Sequence, residues 1–231
     1  SLDDVPTDVL KQVLLNHVIQ GEVESDEIST GYVTNLVVEE TTQSNLSMYL
    51  DTSNGVTING EVSVVNADID AENGVIHAVN SVIALPTVVT FATADPNFST
   101  LVSALTREES FTYVSTLSTS AGTFPAPFTV FAPTNDACGD LLAELGASNL
   151  SDIDTETLAA TLNMHVIAGA NVRAEDLTSG DVTTLGGDVT IDASNATITD
   201  ANGRVSTVIV TNVQATNGVV HAIDKVILPA V

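Results

Sequence analysis

The sequence repeats itself, and this repeat constrains the fold more than any other feature. The heptapeptide Asn73–Val79 returns as Asn217–Ile223, and the run Leu14–Ile19 returns as Leu162–Ile167. All four histidines fall into these matched segments, in the same order and at similar spacing. A period of about 145 residues is too long for a solenoid repeat, so each copy is predicted to be a domain.

The two copies are not equally complete. The second copy is assigned to residues 87–231 and the first to residues 1–86, with Ser1–Val5 aligned to Asn149–Ile153. The first copy therefore lacks a counterpart of Val88–Ser148, and the chain is expected to begin inside a domain. We expect the sheet of the first copy to expose an open edge and apolar surface. Such an edge predicts possible self-association through the incomplete first domain.

Within the second copy, a helical first half precedes a β-rich second half, which is typical of an α+β fold. Apolar residues at helical spacing predict one helix over Asp95–Leu105, capped by its first residue, and another over Asp154–His165. Phe128–Phe131 is predicted to form a strand, after which Thr134 or Asn135 caps a further helix. The alternating segments that follow predict strands joined at Asn-Gly turns.

Charge excludes several classes of partner. The chain has 30 acidic and 5 basic residues, for a formal net charge of −25. Such a surface repels phosphate backbones and anionic lipid headgroups, which argues against nucleic-acid binding and electrostatic membrane binding. No apolar run approaches the roughly 18 residues needed to span a bilayer, so membrane insertion is not expected. Cys138 is the only cysteine. It is predicted to be a small buried apolar residue.

Three ordered motifs resemble the fasciclin domain family. Phe128–Ala137 is similar to the first signature of the family, Asn217–Ile227 to its closing signature, and Met164–Ile167 to its Tyr-His motif. The first copy has the last two motifs. Cys138 stands where the family usually has Phe, and Asn16 and Met164 stand at the Tyr position. The resemblance implies tandem domains, each a β-sandwich wedge flanked by helices, in a secreted or cell-surface adhesion protein.

The histidines are interpreted as structural residues. A neutral imidazole can act as a base or a metal ligand, but no Ser-His-Asp arrangement or His-x-x-x-His pair accompanies them. We predict that His221 bonds to the loop of Thr134, Asn135 and Asp136, and so ties the first signature to the closing one. A ligand or catalytic role is the alternative. The histidines are His17, His77, His165 and His221.

One acidic segment is a candidate for partner recognition. Asn66–Gly74 resembles an integrin-recognition motif found in vertebrate matrix proteins of the family, with Asp68 and Ile69 as the contact pair. The second copy has Asn212-Val213 there and lacks the acid. A strand edge with one exposed carboxylate is the alternative. A calcium loop is a further one, although Asn73 replaces the Gly of the EF-hand pattern and its last Glu is missing.

The sequence thus predicts a non-enzymatic module that binds a surface or matrix protein or a glycan, with no cofactor and no metal. A ligand-free structural spacer at the cell surface is the main alternative. An enzyme is the weaker alternative, because no titratable pair in the sequence suggests a catalytic site.

Overall fold

The computed structural model describes residues 5–230, so Val231 and residues 1–4, where the sequence alignment of the two copies opens, lie outside it. The chain forms two compact units. The first unit comprises residues 1–95 with Gln214–Thr216, and the second comprises Pro96–Val213 with Asn217–Val231. Residues 87–95, which the repeat assigns to the second copy, pack with the first unit.

The first unit is a five-stranded antiparallel sheet with two helices. Its elements are α1 Thr7–Asn16, β1 Gly31–Val38, β2 Asn45–Asp51, β3 Thr57–Ile58, β4 Val62–Ala71, β5 Gly74–Val79 and α2 Val88–Ala94. The strands lie in sequence order from β1 to β5. The long strand β4 pairs with β3 through Val62 and Ser63 and with β5 through its later residues, so both halves of the sheet share it.

Aromatic contacts explain why α2 folds with the first unit. Phe91 of α2 is fully buried and meets the ring of Tyr32 edge-on, with 5.8 Å between the ring centroids. The ring of Tyr49 lies 5.0 Å from that of Tyr32, whose hydroxyl donates to the carboxylate of Asp95 at 2.9 Å. Burial, followed by the charge of Asp95, raises the pKa of Tyr49 to about 12. A second apolar cluster comprises Met48, Leu50, Ile58, Val62 and Ile83.

The second unit repeats this sheet and extends it. Its helices are α3 Ser99–Leu105, α4 Tyr113–Leu117, α5 Asn135–Glu144 and α6 Thr155–Asn163, with 3-10 turns at Pro96–Phe98 and Leu150–Asp152. Its strands are β6 Phe128–Pro133, β7 Val166–Ala168, β8 Gly180–Thr184, β9 Gly187–Asp192, β10 Thr197–Thr199, β11 Val205–Ala215 and β12 Gly218–Ile223. The order is β7-β6-β12-β11-β10-β9-β8. Strands β8 to β12 thus repeat the order of β1 to β5, and the α+β prediction is confirmed.

The helix starts follow the capping residues read from the sequence. The hydroxyl of Thr134 accepts a hydrogen bond from the N–H of Ala137 at 3.3 Å and caps α5, and Asp154 caps α6 in the same way. The helix predicted from Asp95 differs in its first turn. The chain makes a 3-10 turn from Pro96 before α3 begins, and Asp95 ends the long N-terminal segment of the first unit.

The open edge expected for the first copy is present. Among residues 5–230, β5 has β4 as its only strand neighbour, whereas β12 lies between β11 and β6. The core of the second unit is formed by Phe131, Met164, Ile167, Val189, Ile191, Ile198, Ile223 and Ile227. None of the helices in the described part of the chain has the length and apolar character that a bilayer span requires.

Candidate functional site

His17 and His165 make the same hydrogen bonds in the two units. In each residue, Nδ1 lies close to the carbonyl oxygen four residues earlier, at 2.7 Å in His17 and 2.8 Å in His165. In each, Nε2 accepts from a backbone N–H beyond the last strand of its unit, from Ile83 at 3.0 Å and from Ile227 at 3.1 Å. Each histidine therefore ties the end of a helix to the segment that follows the sheet.

His77 and His221 form a second matched pair. Nε2 lies 2.9 Å from a valine carbonyl oxygen in His77 and 3.0 Å in His221. Nδ1 accepts from the N–H of Asp68 at 3.4 Å in the first unit and from that of Asn212 at 3.3 Å in the second. The Nε2 contacts tie the last strand of each unit to the loop that precedes its first repeated strand, and the Nδ1 bonds tie it to the strand before it. The two valines are Val23 and Val172.

The predicted bond between His221 and the Thr134–Asp136 loop is wrong. Both ring nitrogens of His221 are engaged elsewhere, and the ring stacks on Phe131 with 5.9 Å between centroids. The loop reaches β12 through the main chain, where the N–H of Thr134 donates to the carbonyl oxygen of Ile223 at 3.2 Å. The parallel pairing of β6 with β12, which sets Phe131 opposite His221, joins the two signatures.

The other two residues of that loop lie at the start of α5. Asn135 accepts from the N–H of Thr100 at 2.9 Å through its side-chain oxygen and donates to the carbonyl oxygen of Pro96 at 2.9 Å. It therefore joins α5 to the 3-10 turn and to α3. Asp136 is exposed in the first turn of α5, where a carboxylate interacts favourably with the helix dipole.

Asp68 and Asn212 occupy matched positions with the same backbone geometry. Their φ angles are +57° and +61°, in the left-handed region that Asp and Asn tolerate better than most residues. The carboxylate of Asp68 accepts from the N–H of Ser25 at 2.8 Å and also from its hydroxyl, and the side-chain oxygen of Asn212 accepts from the N–H of Ala174 at 2.8 Å. The Ser25 hydrogen bonds lower the pKa of Asp68. Each residue therefore holds in place the loop that precedes the first repeated strand of its unit.

Ile69 lies on an apolar surface that only the first unit exposes. It stands opposite Ile76 in the β4–β5 pairing, and the two side chains are 38% and 54% exposed. Their counterparts in the second unit, Val213 and Val220, are 3% and 2% exposed. Two exposed isoleucines side by side form an apolar pair next to Asp68.

Carboxylates adjoin this apolar pair along β4, where Asp68 and Asp70 stand on either side of Ile69 and successive side chains point to opposite faces of the sheet. We call this end of the β4–β5 hairpin the acidic face. It comprises Ile69 and Ile76 with Asp68, Asp70 and Glu24. Partial desolvation, and then the charges of Asp68 and Asp70, raise the pKa of Glu24, so the carboxylates are close enough to repel one another. The acidic face thus combines exposed apolar side chains with clustered negative charge.

The structure supplies little for catalysis or metal binding. Within residues 5–230, no group of three or more His, Cys, Asp or Glu residues is arranged to hold a metal ion. A cavity of about 180 Å³ in the second unit is lined mainly by aliphatic side chains, together with Cys138 and His165. Burial raises the pKa of Cys138 to about 11 and lowers that of His165 to about 4. Both are neutral at pH 7, and the two nitrogens of His165 are bonded to the main chain.

The sequence analysis missed a buried polar network at Asn16. This residue is fully buried, and its amide nitrogen donates to the carbonyl oxygens of Ile83 and Ala84, both at 3.0 Å. Its amide oxygen accepts from Asn35 at 2.8 Å. One feature of the sequence indicated this network: a polar residue lies directly before the motif histidine, at the end of an amphipathic helix. Asn16 fixes the end of α1 to the segment after β5.

Comparisons with known proteins agree with the geometry. The family model of the Fasciclin domain matches residues 1–86 and 96–229. The chain is 39% identical over 145 residues to protein sll1483 of Synechocystis sp., a match that covers 62% of this chain and 73% of that protein. It is 34% identical over 147 residues to the uncharacterized protein sll1735 of the same organism, covering 62% of this chain and 98% of that one.

Two further matches are to a fasciclin-like protein and to a solved pair of FAS1 domains. The chain is 28% identical over 173 residues to a fasciclin-like arabinogalactan protein of Arthroderma benhamiae, covering 74% of this chain and 37% of that protein. A solved structure of a FAS1 domain pair, from the insect cell adhesion molecule Fasciclin I, matches with a TM-score of 0.58 at 19% identity. It covers 98% of this chain and 83% of that one. Fasciclin domains are known in cell adhesion proteins and occur in extracellular or cell-surface proteins. With matched segments in both copies, this chain belongs to the fasciclin domain family.

Proposed function

We propose that the chain is a secreted or cell-surface adhesion module that binds a protein or a glycan and catalyses no reaction. The observation that carries the proposal is the acidic face, where Ile69 and Ile76 are exposed beside Asp68. An acid next to a large aliphatic side chain offers one charge-directed contact and one apolar contact, a combination suited to a small interface. The presence of fasciclin domains in cell adhesion proteins supports it.

The charge of the chain defines the partner's chemistry. A net charge of −25 and the carboxylates of the acidic face favour a partner that is basic, or one that brings a cation with it. Exposed charges are screened beyond about 8–10 Å at physiological ionic strength. Binding is therefore expected to weaken as salt is raised.

The decisive variant is Asp68→Asn. Asn212 shows that an asparagine keeps the left-handed backbone and the loop-holding hydrogen bond, so this change removes charge and preserves the local fold. We expect adhesion to cells or to a matrix-coated surface to fall about three- to ten-fold at low salt, with an unchanged melting temperature. Ile69→Thr tests the apolar contact in the same assay.

The second unit supplies the control. Asn212→Ala alters the matched position, where no carboxylate is present, and is expected to leave adhesion per folded molecule unchanged. Adhesion by Asp68→Asn and Ile69→Thr at the wild-type level, at both low and high salt, would remove the acidic face as the binding site.

A ligand-free spacer is the second candidate, and the environment of Asp68 favours it. The carboxylate is bonded to the main chain and hydroxyl of Ser25, which gives the residue a local reason to be there. A spacer predicts no saturable binding to cells, matrix or glycans by the wild-type chain. The adhesion assay therefore separates the two functions before any variant is made.

A further inference from the structure

The apolar cavity of the second unit lies between three of its helices and the segment that follows β12. It has a volume of about 180 Å³. Leu101 of α3, Leu141 of α5, Leu158 of α6 and Val226 after β12 contribute aliphatic side chains to its wall. The cavity therefore lies at the junction of four elements of one unit.

The wall of this cavity is almost entirely apolar. Among the described residues that line it, oxygen and nitrogen atoms form almost none of the cavity surface. The ring of His165 is one of the linings, but its Nδ1 lies 2.8 Å from the carbonyl oxygen of Thr161 and its Nε2 accepts from the N–H of Ile227 at 3.1 Å. A buried water needs about two to four polar partners. The cavity therefore suits an apolar occupant better than water.

Hydrogen bonds outside the cavity hold one side of its wall in place. The guanidinium of Arg107, which follows α3, donates to the carbonyl oxygens of Leu150 and Ile153, both at 2.7 Å. The hydroxyl of Tyr113 in α4 donates to the carbonyl oxygen of Ala159 in α6 at 3.1 Å. These bonds fix α6 and the segment before it against α3 and α4, whatever the cavity contains.

The other side of the wall is held in the same way. Asn135 joins α5 to α3. The carboxylate of Asp200 accepts from the N–H of Leu228 at 3.0 Å, and the amide of Asn202 donates to the carbonyl oxygen of Pro229 at 2.8 Å. Leu228 and Pro229 both line the cavity. A wall that is fixed from outside does not collapse inwards, so the cavity is preformed, as small-molecule sites usually are.

The cavity reaches the surface beside α5 and α6, where the local charge is negative. Among its lining residues, Leu145 is 55% exposed and Thr157 is also exposed. Glu156, which precedes Thr157, is exposed as well, and the chain carries a net charge of −25. An anionic ligand is repelled by this charge. Since Cys138 and His165 are neutral at pH 7, the cavity also offers no charge that would attract an ion.

We propose that this cavity binds the hydrocarbon part of an uncharged molecule. A cavity of about 150 Å³ with apolar walls admits benzene, so a volume of about 180 Å³ accommodates about six or seven carbon atoms. Each CH₂ group that enters tightens binding about four-fold until the cavity is full. The proposal is independent of adhesion through the acidic face, which belongs to the first unit.

Two substitutions fill the cavity from different walls. Cys138→Phe enlarges a side chain of α5, and Ala104→Leu enlarges one of α3, and both residues line the cavity. Ala143→Leu is the matched control, because Ala143 is an exposed residue of α5 outside the cavity lining. Each filling variant tests the proposal without the other, so one that fails to fold leaves a second.

The experiment titrates the whole chain with straight-chain alcohols from butan-1-ol to decan-1-ol and follows the backbone amide signals by NMR. We expect saturable one-to-one shifts at the residues that line the cavity. The affinity should rise about four-fold for each added CH₂ and then level off at about hexan-1-ol or heptan-1-ol. Cys138→Phe and Ala104→Leu are expected to weaken binding of hexan-1-ol about ten-fold or more, whereas Ala143→Leu leaves it unchanged. Hexanoate, which carries a charge, is expected to bind more weakly than hexan-1-ol.

Hexyl β-glucoside distinguishes two sources of the hydrocarbon. Its sugar exceeds the space that the cavity offers, so binding as tight as that of hexan-1-ol identifies the chain end of an amphiphile, with its headgroup in water beside Leu145. Binding of hexan-1-ol alone identifies a small free molecule. Either result supports a hydrocarbon site.

Three outcomes overturn the proposal. The first is the absence of saturable shifts up to the solubility limit of hexan-1-ol. The second is wild-type binding by filling variants that keep the wild-type melting temperature. The third is an affinity that keeps rising to decan-1-ol, because the alcohols would then attach to exposed apolar surface instead of filling a cavity. None of these outcomes bears on adhesion through Asp68, which is tested by substitutions in the first unit.

Discussion

Gly218 lies so close to Phe128 that a Cβ on the glycine would be 2.2 Å from the carbonyl oxygen of the phenylalanine. Gly218→Ala is expected to destabilise the second unit by roughly 2–5 kcal/mol, because β12 and β6 must separate and φ is unfavourable for alanine. The matched Gly74→Ala carries only the backbone strain, about 1–2 kcal/mol. Urea unfolding of both variants measures the difference.

Equal losses in the two glycine variants would contradict this account, since they would mean that the contact with β6 contributes nothing. The comparison is internal, because the two glycines begin nearly identical strands and have nearly identical φ angles.

His165 makes the stability of the second unit depend on pH. Burial lowers its pKa to about 4, against about 6.5 for an unfolded histidine. Between about pH 4 and pH 6.5, the unfolded state binds a proton that the folded state does not bind. The stabilisation is therefore complete above about pH 6.5 and declines as the pH falls. The loss by pH 5 is on the order of 2 kcal/mol. His221, whose pKa burial also lowers, acts in the same direction.

Urea unfolding at pH 7 and pH 5 checks this, and His165→Gln is expected to shrink the difference between them. His17→Gln is the control, because His17 makes the matched hydrogen bonds but is exposed. An undiminished difference in His165→Gln would assign the pH dependence to the many carboxylates instead.

The thiol of Cys138 is expected to be inert in the folded chain. Cys138 is 9% exposed, and burial raises its pKa to about 11, so the reactive thiolate is scarce at pH 8. Reaction with an aromatic disulfide reagent should be about 100-fold slower in buffer than in urea, where the pKa returns to about 8.5. The absorbance of the released thiol gives both rates. Fast labelling without urea would show that the surrounding cavity opens.

Much of the fold could be predicted because the repeated sequence segments form equivalent elements in the two units. The heptapeptides at Asn73–Val79 and Asn217–Ile223 form the last strand of each unit. The strand over Val166–Ala168 could not be predicted from its residues. The identical Val18-Ile19 forms no strand, since a strand exists only where a neighbour completes its hydrogen bonds. Tertiary pairing decides the structure of this segment.

The predictions of site residues depended on hydrogen-bond partners whose positions the sequence does not reveal. The Thr134–Asp136 loop follows β6, which pairs with β12, but the ring nitrogens of His221 are bonded to other segments. The sequence also did not show that Asp68 holds a loop by accepting hydrogen bonds from Ser25. One signal was available: the matched residue is Asn212, and Asp and Asn share a tolerance for left-handed backbone. Two such residues at one repeat position indicate a backbone requirement.

The hydrogen bonds of His221 and His77 contribute different amounts to the free energy of unfolding, because the two side chains differ in burial. His221 is fully buried, so His221→Ala leaves the N–H of Asn212 without its acceptor and opens a void beside Phe131. The expected loss is roughly 2–4 kcal/mol of unfolding free energy. His77 makes the matched bonds with a side chain that is 20% exposed. Water can replace its contacts, and His77→Ala should cost about 1–2 kcal/mol. Urea unfolding measures both, and an unchanged midpoint for His221→Ala, with adhesion lost, would make that histidine a binding residue instead of a structural one.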